Sequence, residues 1–555
     1  ATDEGGYILT GYRGDVNNPQ TYLVKTDSEG EITTNVIKGR VFRSGPNTGI
    51  KDWIVKAEGQ NNGITYYGTT DANGNYCILL NADEYSVDLS LPNEYWNSNF
   101  GPINVTVLAF DTLDNVDFPV FVDNPCTDIQ IDLTAPFLIP GAAATNYYAV
   151  RYCNNGTLTA EDAFVDIDLD DELLLMSSTL DFVEIDDSIY RFQLGDIPFG
   201  TCDSFFVDVF VTTTDVQRTH CTKAQVYPNT ICSSFPAWDE SSVKLEALCD
   251  GDSVRFNIEN QGVGDMQNQL EYIIIEDLVL RTDQPQLFSL PSGGAQSVAY
   301  EATGGTFRII SEQATGHPGD SRPTAAIEGC GGFTPGLYTQ FPEDDYNHFV
   351  SIDCQENFDS APSELNRGYP KGYGEERKIA SDTDLSYHLK FQNLGIDTAI
   401  RVVIRDTISN LLDPSTIQPG ASSHDYEFEV YGDGILKFTF EDIFLPGSST
   451  NEDDSHIFVK FRISQKPGNE VDDLIINRAA ATFNYDEPGL NEEIEHKVGG
   501  LEWDEFILVN TNYVPFPGVK GVKVFPNPFV ETATFEIDSE TVLPDLSFVV
   551  FDAMG

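Results

Sequence analysis

Apolar and polar residues alternate along most of this chain in short runs, and Gly, Asn, Asp or Pro closes nearly every run. In one such run Val165, Ile167 and Leu169 interleave with Asp166, Asp168 and Asp170. A period of two places one set on a core and the other in solvent, which predicts half-buried strands. Helical spacing is nearly absent. Closely spaced short strands separated by turn residues predict an all-β class, with tandem immunoglobulin-like β-sandwiches in an elongated array.

One pattern recurs. Tyr148-Ala149-Val150-Arg151-Tyr152-Cys153-Asn154-Asn155-Gly156 aligns without gaps on Tyr387-His388-Leu389-Lys390-Phe391-Gln392-Asn393-Leu394-Gly395, and a weaker copy runs from Val254 to Gly262. In each copy a strand climbs into an Asn-x-Gly turn, so one supersecondary unit is used three times. The repeats predict immunoglobulin-like sandwiches over about 126–238, 239–352 and 370–500. Ahead of them, Asp71-Ala72-Asn73-Gly74 reads as a hairpin turn, because Asn-Gly tolerates positive φ. It lies in a further sandwich over 35–122. Residues 1–34 read as two strands, either a remnant of a propeller blade or a hairpin capping the next domain.

Composition narrows the function. The 555 residues suit roughly four domains of ~150 residues. A hydrophobic content of 40% is enough for packed cores. Against 89 acidic residues stand only 31 basic ones, a net charge of −58. Such a surface repels nucleic acid and anionic membranes and suits divalent cations. No run reaches the ~18 apolar residues of a membrane helix, so the chain is not expected to span a membrane.

Nine cysteines occur without any Cys-x-x-Cys pair. The expectation is four disulfides and one buried free thiol at Cys77, in an oxidising compartment. Eight cysteines allow about 105 pairings. Local candidates are Cys221 with Cys232 and Cys153 with Cys202.

Near the C-terminus, Phe525-Pro526-Asn527-Pro528 punctuates two apolar runs, and Asp552-Ala553-Met554-Gly555 closes a third. This resembles the type A sorting domain of the Bacteroidetes type IX secretion system, with Phe525, Pro526, Asn527 and Pro528 as the sorting signal. The resemblance implies export to an extracellular or outer cell-surface location. It also implies that residues 515–555 are the start of a domain cut before its closing strands. Ile37-Lys38-Gly39-Arg40-Val41-Phe42, with Thr70-Asp71-Ala72-Asn73-Gly74-Asn75-Tyr76, resembles carboxypeptidase regulatory-like (prealbumin-like, Cna-B type) sandwiches, a family of spacers and stalks, which implies a prealbumin-like β-sandwich here. Gly5-Gly6-Tyr7-Ile8-Leu9-Thr10-Gly11 with Tyr22-Leu23-Val24-Lys25-Thr26-Asp27 resembles a bacterial propeller repeat. Gly368-Tyr369-Pro370-Lys371, Phe391-Gln392-Asn393, Val403-Ile404-Arg405-Asp406-Thr407 and Phe458-Val459-Lys460-Phe461 resemble the conserved repeat that precedes sorting signals in large Bacteroidetes surface proteins. The Asp-Thr-aliphatic segments at Thr112, Thr398 and Thr407 resemble O-glycosylation sites of exported Bacteroidetes proteins.

Catalytic motifs are scarce. The seven histidines form no His-Glu-x-x-His, and neither a Gly-x-Ser-x-Gly elbow nor a phosphate-cradling glycine loop occurs. Gly319-Asp320-Ser321 resembles the nucleophile region of trypsin-like proteases, but Arg322-Pro323 stand where glycines should shape an oxyanion hole. Ser422, Ser423 and His424 are adjacent and read as a self-bonded loop. The chain is therefore read as a non-enzyme with no cofactor unless calcium. Asp166, Asp168 and Asp170 on one strand face, continuing into Asp171 and Glu172, are the metal candidates, because like charges side by side repel until a cation joins them.

Three functions stay open. One is a structural fibre, sheath or adhesin that self-associates or binds other surface proteins after export by the type IX machinery. Another is the stalk and sorting region of a secreted hydrolase or binding protein whose functional domain lies upstream. The third is a surface-binding module using Tyr95, Trp96 and Phe100.

Overall fold

The computed structural model describes residues 35–499 with short gaps, together with the strands Ile8–Arg13, Gln20–Lys25, Leu508–Val509, Val519–Phe525 and Thr534–Ser539. Among the described residues regular structure is strand throughout, apart from two single-turn 3-10 helices at Pro414–Thr416 and Asp453–Ser455. The chain is all-β, and its sheets face each other in sandwiches. It divides into two compact units, one of residues 1–237, 318–320 and 340–500, the other of 238–317, 321–339 and 501–555.

The first unit holds three sandwiches. In the N-terminal one, the strand Asn35–Arg43 sits centrally in one sheet, and Ile54–Gly59 with Asp83–Leu89 lies in the other. Ile37, Val41, Val55, Val87 and Phe118 fill the space between. In the second, Ile129–Thr134, Asn146–Asn154, Cys202–Val211 and Leu173–Ser178 form one sheet. The opposing sheet runs Phe182–Glu184, Ile189–Ile197, Ala160–Asp168, Thr219–Tyr227 and Val350–Glu356. The last of these strands corrects the sequence reading. Val350–Glu356 falls across the expected end of the 239–352 domain, yet it pairs with Thr219–Tyr227 and closes the preceding sandwich. Its partner ends more than a hundred residues earlier, so the intervening sandwich is an insertion between two neighbouring strands, which alternation alone does not reveal.

The fourth sandwich faces Leu365–Tyr369, Leu385–Gln392, His456–Ile463 and Gln418–Ser422 against the sheet centred on Val402–Thr407. Tyr387, Leu389, Ile404, Phe438, Phe461 and Ile475 lie in its core. These three sandwiches also grip each other. Lys460 Nζ meets Asp132 Oδ1 at 2.7 Å, and Ala421 N donates to Asp132 Oδ2 at 2.6 Å. Tyr67 N donates to Gly432 O at 2.8 Å. Trp96 packs on Phe199, with ring centroids 5.8 Å apart.

The inserted sandwich lies in the second unit. It pairs Val243–Asp250, Ser253–Asn260 and Ala295–Glu301 in one sheet, and Leu270–Glu276 with Phe307–Ser311 in the other. Phe256, Ile258, Ile274 and Phe307 lie between them.

The threefold sequence repeat has a common physical meaning. Asn154, Asn260 and Asn393 are buried. Each side-chain oxygen accepts from the glycine two residues on, at 3.0, 3.0 and 3.1 Å. Each amide nitrogen donates to the carbonyl four residues on: Leu158, Gly264 and Asp397, at 2.8, 2.9 and 2.9 Å. Its second proton goes to the carbonyl of an aliphatic residue that precedes a proline in a distant loop: Ile197, Leu290 and Leu445, at 2.8, 3.2 and 3.1 Å. One amide thus ties two loops at one end of each sandwich, using three bonds at a buried position. The sequence marks this residue as a turn former, and the structure makes it a clamp.

Candidate functional site

The five acidic metal candidates come from the strand Ala160–Asp168 and the turn after it. Val165, Ile167 and Leu169 are buried in the core as the alternation requires. The carboxylates opposite them do not assemble around one point. Asp166 takes a two-pronged bond from Arg191, Nε to Oδ1 and NH2 to Oδ2, both at 2.7 Å. Arg191 also lies over the Phe164 ring, 3.9 Å from its centroid. Asp168 accepts from Ser188 Oγ at 2.7 Å. Asp171 is exposed. Part of the repulsion expected along this face is thus relieved by protein donors, Arg191 and Ser188.

Asp170 and Glu172 turn towards a residue the sequence reading missed, His220. Its Nδ1 lies 2.9 Å from Asp170 Oδ1, and the ring is fully buried. Ligand atoms of Asp170, Glu172 and His220 lie within 4.8 Å of one another. Asp170 Oδ2 also accepts from Cys221 N at 3.2 Å, and Glu172 pairs with Arg218 Nε at 2.8 Å. Asn357 Nδ2 donates to Asp215 O at 2.8 Å, which fixes its amide, and lies 3.1 Å from His220 Nε2. These contacts fit the tautomer that donates from Nδ1 to Asp170 and accepts at Nε2 from Asn357.

Calcium prefers six to eight oxygen ligands. This group offers two carboxylates, one already held by an arginine, and an imidazole with both nitrogens engaged. The set fits a structural staple better than a calcium cage. It fastens the strand end at Asp170 to Thr219–Tyr227 and, through Asn357, to the end of the returning strand. No spacing in the sequence links Asp170, His220 and Asn357.

The disulfides complete that staple. Cys221 bonds Cys354, its cross-strand neighbour, with Cα atoms 4.1 Å apart. Cys232 bonds Cys126 across 106 residues. The expected Cys221–Cys232 bridge is thereby corrected, since the strand register presents Cys354 to Cys221. Cys153 bonds Cys202 across adjacent strands, and Cys249 bonds Cys330. Cys77 is free and exposed rather than buried. Tyr76 and Ile78 take the core positions of its strand, and the period of two turns Cys77 outward, opposite Lys38. It lines a cleft of about 850 Å³ with Arg40, Asp71, Asp117, Glu429 and Tyr431, whose walls partly desolvate the thiol and push its pKa up.

The other chemical candidates stay dispersed. Ser423 Oγ contacts His424 Nδ1 at 2.9 Å and accepts from Phe458 N at 3.1 Å, which braces a loop. His317 lies 3.0 Å from Ser242 Oγ, and His496 Nε2 donates to Pro370 O at 3.0 Å. Tyr95 and Trp96 are buried, in the interface with Phe199, so the proposed aromatic binding surface is corrected to a packing contact. Ser321, Phe100, Pro526, Asn527 and Pro528 lie outside the described residues. Phe525 ends the strand Val519–Phe525, opposite Thr534. Thr112, Thr398 and Thr407 are exposed, whereas Asp406 beside Thr407 is fully buried.

Asp406 carries a pH dependence. Burial pushes its carboxyl up to about 7, with Asn477 Nδ2 donating to it at 2.7 Å. A folded pKa above the unfolded value means that the fold prefers the protonated acid. Its contribution is full below the ordinary carboxylate pKa and is lost as pH rises through about 7. The slope is limited to about 1.4 kcal/mol per pH unit. Between pH 5 and 8 the melting temperature of the fourth sandwich should fall more steeply in the native chain than in Asp406→Asn. Parallel melting curves for the two would show that the Asp406 carboxyl titrates in the fold as it does in the unfolded chain, and is not raised by burial.

Residues 369–496 match a family model described as Domain of unknown function (DUF7619), and the match falls on the fourth sandwich. No curated protein matches the chain. Among solved structures, a collagen-binding domain from a Staphylococcus aureus adhesin is 14% identical, covering 25% of this chain and 99% of that one, with a TM-score of 0.17. The major pilin subunit of Bacillus cereus is 9% identical over 50% of this chain and 87% of its own, with a TM-score of 0.17. A DUF3823 family protein from Bacteroides ovatus is 14% identical over 35% and 90%, with a TM-score of 0.14. At such scores nothing about binding or assembly transfers to this chain, and the family match extends to residues 369–496 of its 555.

Proposed function

We propose that this chain is a non-enzymatic structural protein of the outer cell surface, exported by type IX secretion and forming or decorating a fibre, sheath or adhesin. One observation carries the reading: four disulfides staple strand to strand and loop to loop in a chain whose buried polar residues are used for bracing. Disulfides at this density persist in oxidising compartments. A surface with a net charge of −58 keeps such chains dispersed until cations screen it. Calcium at the acidic Asp170-Asp171-Glu172 turn belongs to this proposal, as do O-glycans at Thr112, Thr398 and Thr407.

A second reading, the stalk and sorting region of a secreted hydrolase or binding protein, draws on the antiparallel hairpin Ile8–Arg13 with Gln20–Lys25, whose sequence resembles a propeller blade. Negative-stain electron microscopy of native surface material, with and without EDTA, separates the two. Regular filaments are expected, and their loss in EDTA would bring calcium into the assembly. Isolated beads without a repeat would overturn the fibre and favour the stalk.

A further inference from the structure

We infer that the open side of the second sandwich, formed by the consecutive edge strands Leu173–Ser178 and Phe182–Glu184, is a docking surface for a second copy of this chain. The inference rests on the self-association reading above and names a surface that would pair two copies; a two-fold contact closes on itself, so a filament would need a second contact as well.

Each of these strands ends its sheet. Among the described residues Leu173–Ser178 pairs only with Cys202–Val211, and Phe182–Glu184 only with Ile189–Ile197. Their outer edges carry backbone groups available to another strand. Exposed edges are ordinarily guarded by lysine, proline or a bulge. This one has a bulge between Leu175 and Ser177, which turns Met176 outward, but residues 173–180 carry no charge at all. Five large apolar side chains are exposed within twelve residues: Leu174 at 51%, Met176 at 64%, Phe182 at 40%, Val183 at 61% and Ile185 at 51%. Grouped exposure of this kind marks interaction surfaces in soluble proteins.

Two observations point to a second copy. First, the surface continues an existing sandwich-to-sandwich interface. On the outer face of the same sheet, Ala149 packs with Ala421 and Phe458 of the fourth sandwich, with Tyr147 and Phe206 alongside. Leu174 lies one strand further out, in register with Phe210. Leu174, Phe210 and Met176 thus extend the apolar part of this face beyond what the fourth sandwich covers, with Asp208 among them held by Ser177 Oγ. Second, the strand is self-complementary. With Leu175 on a two-fold axis, antiparallel pairing sets Leu174 opposite Met176 of the second copy. Glu172 then faces Ser178 and Asp171 faces Thr179, so no two carboxylates face each other along this strand. In a chain of net charge −58, an uncharged strand is where two copies approach with least repulsion.

Sedimentation of the full chain over roughly 1–100 μM tests this. The native chain should dimerise with concentration. Met176→Lys and Val183→Lys should each weaken the dimer at least ~10-fold, since a buried unpaired ammonium is costly, with melting temperature unchanged because both positions are exposed. Ile396→Lys, at an exposed loop of the fourth sandwich, should dimerise as the native chain does. Equal dimerisation of the lysine variants, a monomeric native chain throughout the range, or loss in Ile396→Lys alone would overturn this surface. The fibre reading fails separately. Regular filaments assembled from the Met176→Lys chain would remove this surface and leave the fibre standing.

Discussion

Replacing both Cys221 and Cys354 with serine is expected to cost the second sandwich about 5 kcal/mol. The bond closes a loop with a sequence separation of 133 residues, and in the chain-entropy account such closure removes about 5 kcal/mol of freedom from the unfolded state. The position magnifies the effect. The strand Val350–Glu356 returns to its sheet only after a complete inserted sandwich, so without the bond it must find Thr219–Tyr227 across that whole segment. Inter-strand bonds and the burial of Val350 favour the return, but the disulfide makes it intramolecularly local. Hydrogen exchange along Val350–Glu356 measures the effect directly. Protection in the double variant should fall by several orders of magnitude relative to Ile129–Thr134. Equal protection in both strands would mean that sheet contacts alone hold the returning strand.

Asn393→Leu is expected to destabilise the fourth sandwich by about 3–5 kcal/mol, and Asn154→Leu the second by a similar amount. Each substitution removes three hydrogen bonds at a buried position and strands two loop carbonyls against an apolar side chain, at about 1–3 kcal/mol for each group left unsatisfied. Asn393→Asp makes a sharper probe. It keeps the acceptor for Gly395 N but sets a carboxylate oxygen against Asp397 O and Leu445 O, so it should destabilise at least as strongly at pH 8 and less at pH 4, where the acid can donate. Urea unfolding of the three chains reads this out. A loss under about 1 kcal/mol in Asn393→Leu would show that water replaces the amide at these carbonyls.

Strand class and face were legible from residue order. Val165, Ile167 and Leu169 are buried where alternation puts them, because a pleated backbone allows no other assignment once one face is apolar. The same rule, applied to Tyr76 and Ile78, would have turned Cys77 outward, and treating it as a buried thiol neglected its own neighbours. The repeated Asn-x-Gly was visible as a motif. Its distant partners could have been noticed, since Ile197-Pro198, Leu290-Pro291 and Leu445-Pro446 recur after each copy. The acidic face was visible too, but not its neutralisation, because Arg191, Ser188 and His220 come from other strands.

By itself, the sequence determined local matters: the all-β class, the direction each side chain faces, the turn positions, the excess of negative charge and the supply of cysteines. Tertiary structure decided everything that depends on strand order: that Val350–Glu356 closes the second sandwich, that Cys221 meets Cys354 rather than Cys232, that Asp170 meets His220, and that Leu173–Ser178 is left at an edge. The physical reason is range. Alternation and turn propensity act over a few residues and are written in order along the chain. Sheet pairing joins residues far apart in sequence, and its register is chosen by packing the whole sandwich at once.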